Sequence, residues 1–319
     1  MNGYTVNVKS SLIINGTLSG AGTINLSSLE ATVTGAQGLN VVSTIENYKV
    51  VYANGVYSLE EIPAEFAAQV GTTKYTNLTA AFAALEKAGN LNNVTVQLIA
   101  NSKEDVEVPA GFKGTIDLGG HTLRGVIGAD GTTSLGLSSS RLRVELTIKN
   151  GFIRLEGRTE IGVIGGRNCA FILDNLNVYT DCHGVILEKD TTCTVNGGTY
   201  VIGDKSGNRL FYLYNSSILS TANVQLTING GTFSRVDVGS NESYGIQVGS
   251  KVNGTINIYG GEFTGFDAVL NLGVSGEYNI YGGKYTGTIE VGTGNPTISG
   301  GWFKNNPANY VANGYCAVS

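Results

Sequence analysis

Ile258-Tyr259-Gly260-Gly261-Glu262-Phe263 and Ile280-Tyr281-Gly282-Gly283-Lys284-Tyr285 are two copies of one six-residue phrase. Three more copies flank them: Val195-Asn196-Gly197-Gly198-Thr199-Tyr200, Ile228-Asn229-Gly230-Gly231-Thr232-Phe233 and Ile298-Ser299-Gly300-Gly301-Trp302-Phe303. Each copy gives a β-branched residue, a polar or aromatic residue, a Gly-Gly turn, a variable residue and an aromatic ring. The second glycines stand at 198, 231, 261, 283 and 301, so the steps are 33, 30, 22 and 18 residues. Strand-forming phrases that return every roughly 20–30 residues are the mark of a β-solenoid. The expected class is therefore all-β, a parallel β-helix (β-solenoid) with one amphipathic helix capping its N-terminal end, right-handed by the general preference of parallel crossovers.

Alternation of side chains along a strand assigns the phrase to two faces. Val195, Ile228, Ile258, Ile280 and Ile298 point inward, and so do the rings Tyr200, Phe233, Phe263, Tyr285 and Phe303. Thr199, Thr232, Glu262, Lys284 and Trp302 point outward between them. Glu262 and Lys284, one repeat apart, are about 5 Å from each other on this reading. Such an exposed pair contributes about 0.5 kcal/mol.

Outward from these repeats the chain changes character twice. Residues 5–45 hold short strand-like runs such as Leu12-Ile13-Ile14 and Thr23-Ile24-Asn25-Leu26. Tyr48–Tyr52 and Val56–Leu59 flank Asn54-Gly55, a hairpin signal, and Glu60–Glu65 with Pro63 reads as a linker. Leu78, Ala81, Phe82 and Leu85 fall at i, i+3, i+4 and i+7, predicting a helix over about 77–87 with Thr76 or Asn77 before it and Gly89 after it. A helix there hides the apolar cross-section and free strand edge of the first repeat. The expected organisation is 1–59 as the end of one β-helical module with a hairpin tail, 60–93 as linker and capping helix, and 94–319 as a parallel β-helix. About 225 residues at about 22 per repeat make about ten repeats and about 50 Å of stack.

Composition narrows the function classes. Gly is 46 of 319 residues and Pro only 4, which suits many tight turns and strands that keep their N–H groups. The net charge is −5 and charged residues are 14%, with no basic stripe, so nucleic acid is not an expected partner. No run of 18 apolar residues is present, so no membrane insertion is expected. Met1–Val6 lacks the pattern of a secretory signal, so the protein either stays inside or is an excised piece of a longer exported chain. Cys169, Cys182, Cys193 and Cys316 have no metal-ligand spacing and read as small buried residues, with a Cys182–Cys193 disulfide as the alternative. No metal site and no cofactor is expected, calcium entering only if the chain is a lyase.

Gln69-Val70-Gly71-Thr72-Thr73-Lys74-Tyr75-Thr76-Asn77-Leu78-Thr79-Ala80-Ala81-Phe82, with Val94–Leu98 and Thr115-Ile116-Asp117-Leu118-Gly119-Gly120-His121-Thr122-Leu123, resembles the opening of a pectate-lyase-like right-handed parallel β-helix. The Gly-Gly phrases, closed by Gly300–Phe303 and Pro307–Tyr315, are similar to the "ISGGTF" repeats of large modular surface proteins of gut and other anaerobic bacteria. The resemblance covers about residues 48–319. It implies a non-enzymatic extracellular module, a stalk or adhesin at the bacterial surface. Its partners would be an extended glycan or host surface and the neighbouring modules of its own chain, and it would act as a monomer.

Two residue sets compete for the function. Tyr259 and Tyr281 precede consecutive Gly-Gly turns and Trp302 lies outward one repeat on, so their rings are candidates for stacking on a glycan. Shielding of the turn backbone is the other role open to them. Asp181, His183, Glu188 and Asp190, with Asp174, Arg158, Glu160 and Arg167 near in sequence, are the candidates for a catalytic cluster meeting on one edge of consecutive strands. A lyase needs carboxylates around calcium and a basic residue, and a hydrolase needs converging carboxylates. A solvated surface carries the same charges without chemistry. A viral receptor-binding spike is the third reading. His121 is assigned to a turn, Gly157–Arg167 lacks the ending of a phosphate loop, and loops are expected at Gly203–Asn208 and Val236–Ser243.

Overall fold

A computed structural model of the chain describes residues 5–15, 22–45, 48–62, 65–131, 142–157, 162–203, 207–217, 220–236, 243–273, 275–291 and 296–315. Arg158, Glu160, Pro63, Cys316 and most of the two expected loops lie outside the described residues. The chain divides into two compact units, Met1–Ala64 and Glu65–Ser319.

In the first unit, Thr5–Val8, Thr23–Leu26 and Val41–Ser43 form a parallel sheet. A second sheet runs in the order Ser11–Ile13, Thr32–Thr34, Val56–Glu61, Tyr48–Ala53. Its last two strands are the hairpin expected at Asn54-Gly55, with Asn54 in the left-handed region (φ 52°) that a tight hairpin turn requires. Val8, Ile24, Leu26, Ala31, Val33 and Tyr57 make the core. The Tyr57 hydroxyl donates to the Ala36 carbonyl at 3.0 Å and accepts the Leu39 N–H at 2.9 Å, so its polar end is satisfied.

The second unit is built of parallel strands in register. One sheet stacks Asn92–Leu98, Lys113–Asp117, Val144–Leu155, Cys169–Thr180, Thr191–Ile202, Ala222–Arg235, Val252–Ile258, Ser275–Ile280 and Thr297–Ile298. After each of the first eight the chain crosses to a second parallel sheet, in the order Val106–Val108, Ile127–Asp130, Gly162–Arg167, His183–Leu187, Arg209–Leu213, Tyr244–Val248, Ala268–Leu272 and Thr288–Val291. Strands of 12–14 residues such as Thr191–Ile202 bend at the Gly-Gly pair. Later repeats split there into two pieces, as in Val252–Ile258 and Glu262–Thr264. The bend explains the glycines. Gly198 has φ 96°, and a Cβ on it would lie 1.9 Å from the Leu176 carbonyl oxygen. At Gly261 φ is 110° and a Cβ would meet the Phe233 ring at 2.8 Å. Earlier repeats turn the same corner on left-handed asparagines, Asn150 (φ 57°) and Asn175 (φ 47°).

The inward assignment of the rings matches the structure. Tyr200, Phe233, Phe263 and Tyr285 are fully buried and stack in sequence with centroid spacings of 5.3, 4.5 and 5.3 Å, and half-buried Phe303 follows at 4.6 Å. Cys169, Cys182 and Cys193 are buried thiols, and the Cys182–Cys193 disulfide is not formed. Burial pushes the Cys169 thiol up to about 11 and Cys193 higher still.

The helix α1 spans Leu78–Ala88, with Asn77 accepting the Ala80 N–H at 2.8 Å and left-handed Gly89 closing it. Its stripe of Leu78, Ala81, Phe82 and Leu85 is buried, and Phe82 meets Phe112 edge-on at 5.1 Å. The helix covers the end of the core, but the free strand edge, expected to lie under the helix, is covered by a hairpin within 60–93, the stretch expected as linker and capping helix. Ala68–Val70 and Thr73–Tyr75 form a hairpin that pairs antiparallel with Asn92–Leu98.

Candidate functional site

The residues just before each Gly-Gly corner form a ladder on the outside of the second unit. Backbone bonds from Tyr259 N–H to the Ile228 carbonyl, Tyr281 N–H to Ile258 and Ser299 N–H to Ile280, at 2.8–2.9 Å, place Asn229, Tyr259, Tyr281 and Ser299 in consecutive repeats at one position. Asn229 donates its amide to Asn196 at 2.8 Å, so the ladder begins as an asparagine pair. It continues as rings: Tyr259 and Tyr281 stack with centroids 4.8 Å apart and planes 11° from parallel. Both remain about half exposed, at 54% and 47%. The two rings therefore protect one face of each other and leave the rest of their area to solvent.

Across the corner runs the ladder Thr232, Glu262, Lys284, Trp302. Lys284 Nζ sits 2.6 Å from Glu262 Oε1 and 5.9 Å from the Trp302 ring centroid. The cation thus bridges its carboxylate and an exposed indole, and the pair is neutral in sum. The structure thus brings Tyr259 and Tyr281 together, while Trp302 stands on the ladder across the Gly-Gly corner, beside the ion pair.

The four residues named for catalysis are placed differently. His183 opens the strand His183–Leu187 and Glu188 follows its end, so an extended chain holds them about 16 Å apart. Asp181 accepts the Gly157 N–H at 2.8 Å, and its other oxygen lies 3.3 Å from Cys182 Sγ. His183 Nδ1 accepts the Arg209 N–H at 3.3 Å, and burial, helped by the Arg209 charge, pulls its pKa down to about 4. Glu188 is gripped by Arg167 at 2.6 Å and by the Ser216 hydroxyl at 3.1 Å. Asp190 sits in a left-handed corner (φ 61°), its carbonyl accepting from Arg143 at 2.9 Å. Glu188 lines a shallow cleft of about 320 Å³ and Asp190 a different one of about 270 Å³. Among the described residues no three His, Cys, Asp or Glu side chains gather as metal ligands.

Arg167 and Glu188, named together among the catalytic candidates, meet across 21 residues of sequence, and Ser216, 28 residues past Glu188 and marked by no sequence pattern, joins them. His121 is in a turn, donating its N–H to the Leu118 carbonyl at 2.8 Å. Asp117, at the end of the strand before that turn, accepts from the Gly119 N–H at 3.0 Å and from Asn150 at 3.3 Å, and faces Lys149 at 3.4 Å. The stretch ending at Arg167 is strand over Gly162–Arg167. No helix among the described residues is long and apolar enough to cross a membrane. No protein-family model, curated protein or solved structure matches the chain.

Proposed function

We propose that the second unit is a right-handed parallel β-helix serving as a non-enzymatic, extracellular stalk or adhesin module that presents Tyr259, Tyr281 and Trp302 to an extended glycan. The observation that carries the reading is the exposed, parallel Tyr259–Tyr281 pair on a rigid in-register ladder. Aromatic side chains bring a large apolar area at low entropy cost, and a sugar ring offers a matching C–H face. Strands that alternate between two parallel sheets support the coil, and the right hand follows from the preference of parallel crossovers. Its partners on this reading are a glycan or host surface and neighbouring modules, and it acts as a monomer without cofactor.

A lyase or hydrolase needs carboxylates converging on one sugar. The separation of His183 from Glu188, and the engagement of Asp181 and Glu188 by a backbone N–H and an arginine, weigh against that reading. The test is a glycan array with and without calcium, followed by assay of any bound polysaccharide for cleavage. Binding without cleavage that falls at least tenfold in Tyr281→Ala supports the proposal. Calcium-dependent release of unsaturated sugars, lost in Asp181→Ala or Glu188→Ala, replaces it with a lyase.

A further inference from the structure

The outer ring stack ends one repeat earlier than the inner one. Inside the core the rings continue through Tyr285 to Phe303 in the last repeat. Outside, the position after Tyr281 belongs to Ser299, whose side chain stops at a hydroxyl turned back to the Ile280 carbonyl at 3.5 Å. Tyr281 therefore has one face against Tyr259 and the other turned toward Ser299, which puts no ring at this position of the ladder, and beyond it Ala312, whose N–H bonds the Ile298 carbonyl at 2.8 Å. At the far end, Tyr259 turns its second face to the repeat of Asn229, whose carboxamide is tied to Asn196. The two ends are thus unlike: one is filled by a larger, anchored amide and one by the smallest hydroxyl side chain.

We infer that the space above Ser299 is a one-residue subsite for a neutral pyranose lying flat on Tyr281, in the place a third tyrosine would take. This rests on the glycan-binding reading above and assigns it a position and a chemical class. Stacked rings in this ladder sit 4.8 Å apart, a spacing that suits a sugar whose equatorial substituents leave a face of C–H bonds. Trp302 belongs to the same repeat as Ser299, on the other side of the Gly300-Gly301 corner, where its ring lies 5.9 Å from Lys284 Nζ. The nearest cation in the adjoining ladder, Lys284, is held by Glu262 at 2.6 Å. With that charge neutralised the subsite offers hydroxyls from Tyr281 and Ser299 and apolar area, which selects a neutral ring over a uronate.

The experiment measures binding of cellohexaose, xylohexaose and a galactan fragment to the full chain by calorimetry, with oligogalacturonate as the acidic counterpart. Wild type binds a neutral oligosaccharide in preference to oligogalacturonate. Ser299→Tyr completes the outer stack and weakens that binding at least tenfold with Tm unchanged or raised. Ser299→Asn, a residue this ladder already holds at 196 and 229, does the same should the larger ring disturb the fold. Asn229→Tyr, at the other end, binds as wild type does. Retained binding in both Ser299 variants, with loss in Tyr281→Ala, overturns the subsite while leaving the glycan reading intact. Loss in Asn229→Tyr alone, or preference for oligogalacturonate, overturns it too. Wild type that binds none of the probes removes the subsite, and an empty glycan array beside it removes the glycan reading as well.

Discussion

Glu104 receives four hydrogen bonds, from the Leu78 and Thr79 N–H groups at 2.9 Å and from the Thr79 and Ser102 hydroxyls at 2.7 Å. It closes the N-terminus of α1 from a distance of 26 residues, adding a full negative charge where the helix exposes donors. Glu104→Ala is expected to cost about 2 kcal/mol, and Glu104→Gln about half that, measured by chemical denaturation of the second unit. His183 supplies a pH dependence of known sign. Its folded pKa of about 4 lies below the unfolded value of about 6.5, so the unfolded chain takes up the proton first. Its contribution is complete above pH 6.5 and is lost as pH falls toward 4. Tm should therefore drop between pH 6.5 and 4 in wild type and drop less steeply in His183→Gln.

The repeat is legible where its elements repeat the same residue types. Inward rings and outward Glu262–Lys284 could be assigned because a ladder needs only position in the phrase, and the tyrosine pair followed from the same rule. The earlier corners were not legible, since Asn150 and Asn175 reach the left-handed region that Gly-Gly pairs mark elsewhere. The hairpin Ala68–Tyr75 was hidden for another reason: its strands are three residues long and mix polar with apolar side chains. The Arg167–Glu188–Ser216 cluster depends on which turns are adjacent, which local pattern does not encode. The buried stack itself makes a sharp prediction. Phe263 is held between Phe233 at 4.5 Å and Tyr285 at 5.3 Å, so Phe263→Ala leaves a cavity with rings on both sides. A loss of about 3–5 kcal/mol is expected by denaturant unfolding, against less than about 1.5 kcal/mol for Phe263→Leu if the neighbours close in.

At the scale of the whole chain, the two units have separate cores of very unequal size. Buried area per residue rises with domain size, so the first unit, with six buried apolar core residues among those described, is expected to be the less stable. Calorimetry is expected to show two transitions, the smaller in enthalpy at lower temperature. Phe263→Ala should move only the larger one, and a single transition displaced as a whole would show that the units unfold together. Within the larger unit each repeat meets mainly its neighbours on either side. Phe263 touches Phe233 as Tyr285 touches Phe263, and Asn257 bonds Asn279 as Asn223 bonds Asn253. A gene encoding such a chain can gain or lose one whole repeat by unequal crossing-over between Gly-Gly codons and still bring matching partners into contact. The number of repeats is thereby a heritable quantity that changes in steps, without any new surface having to be invented.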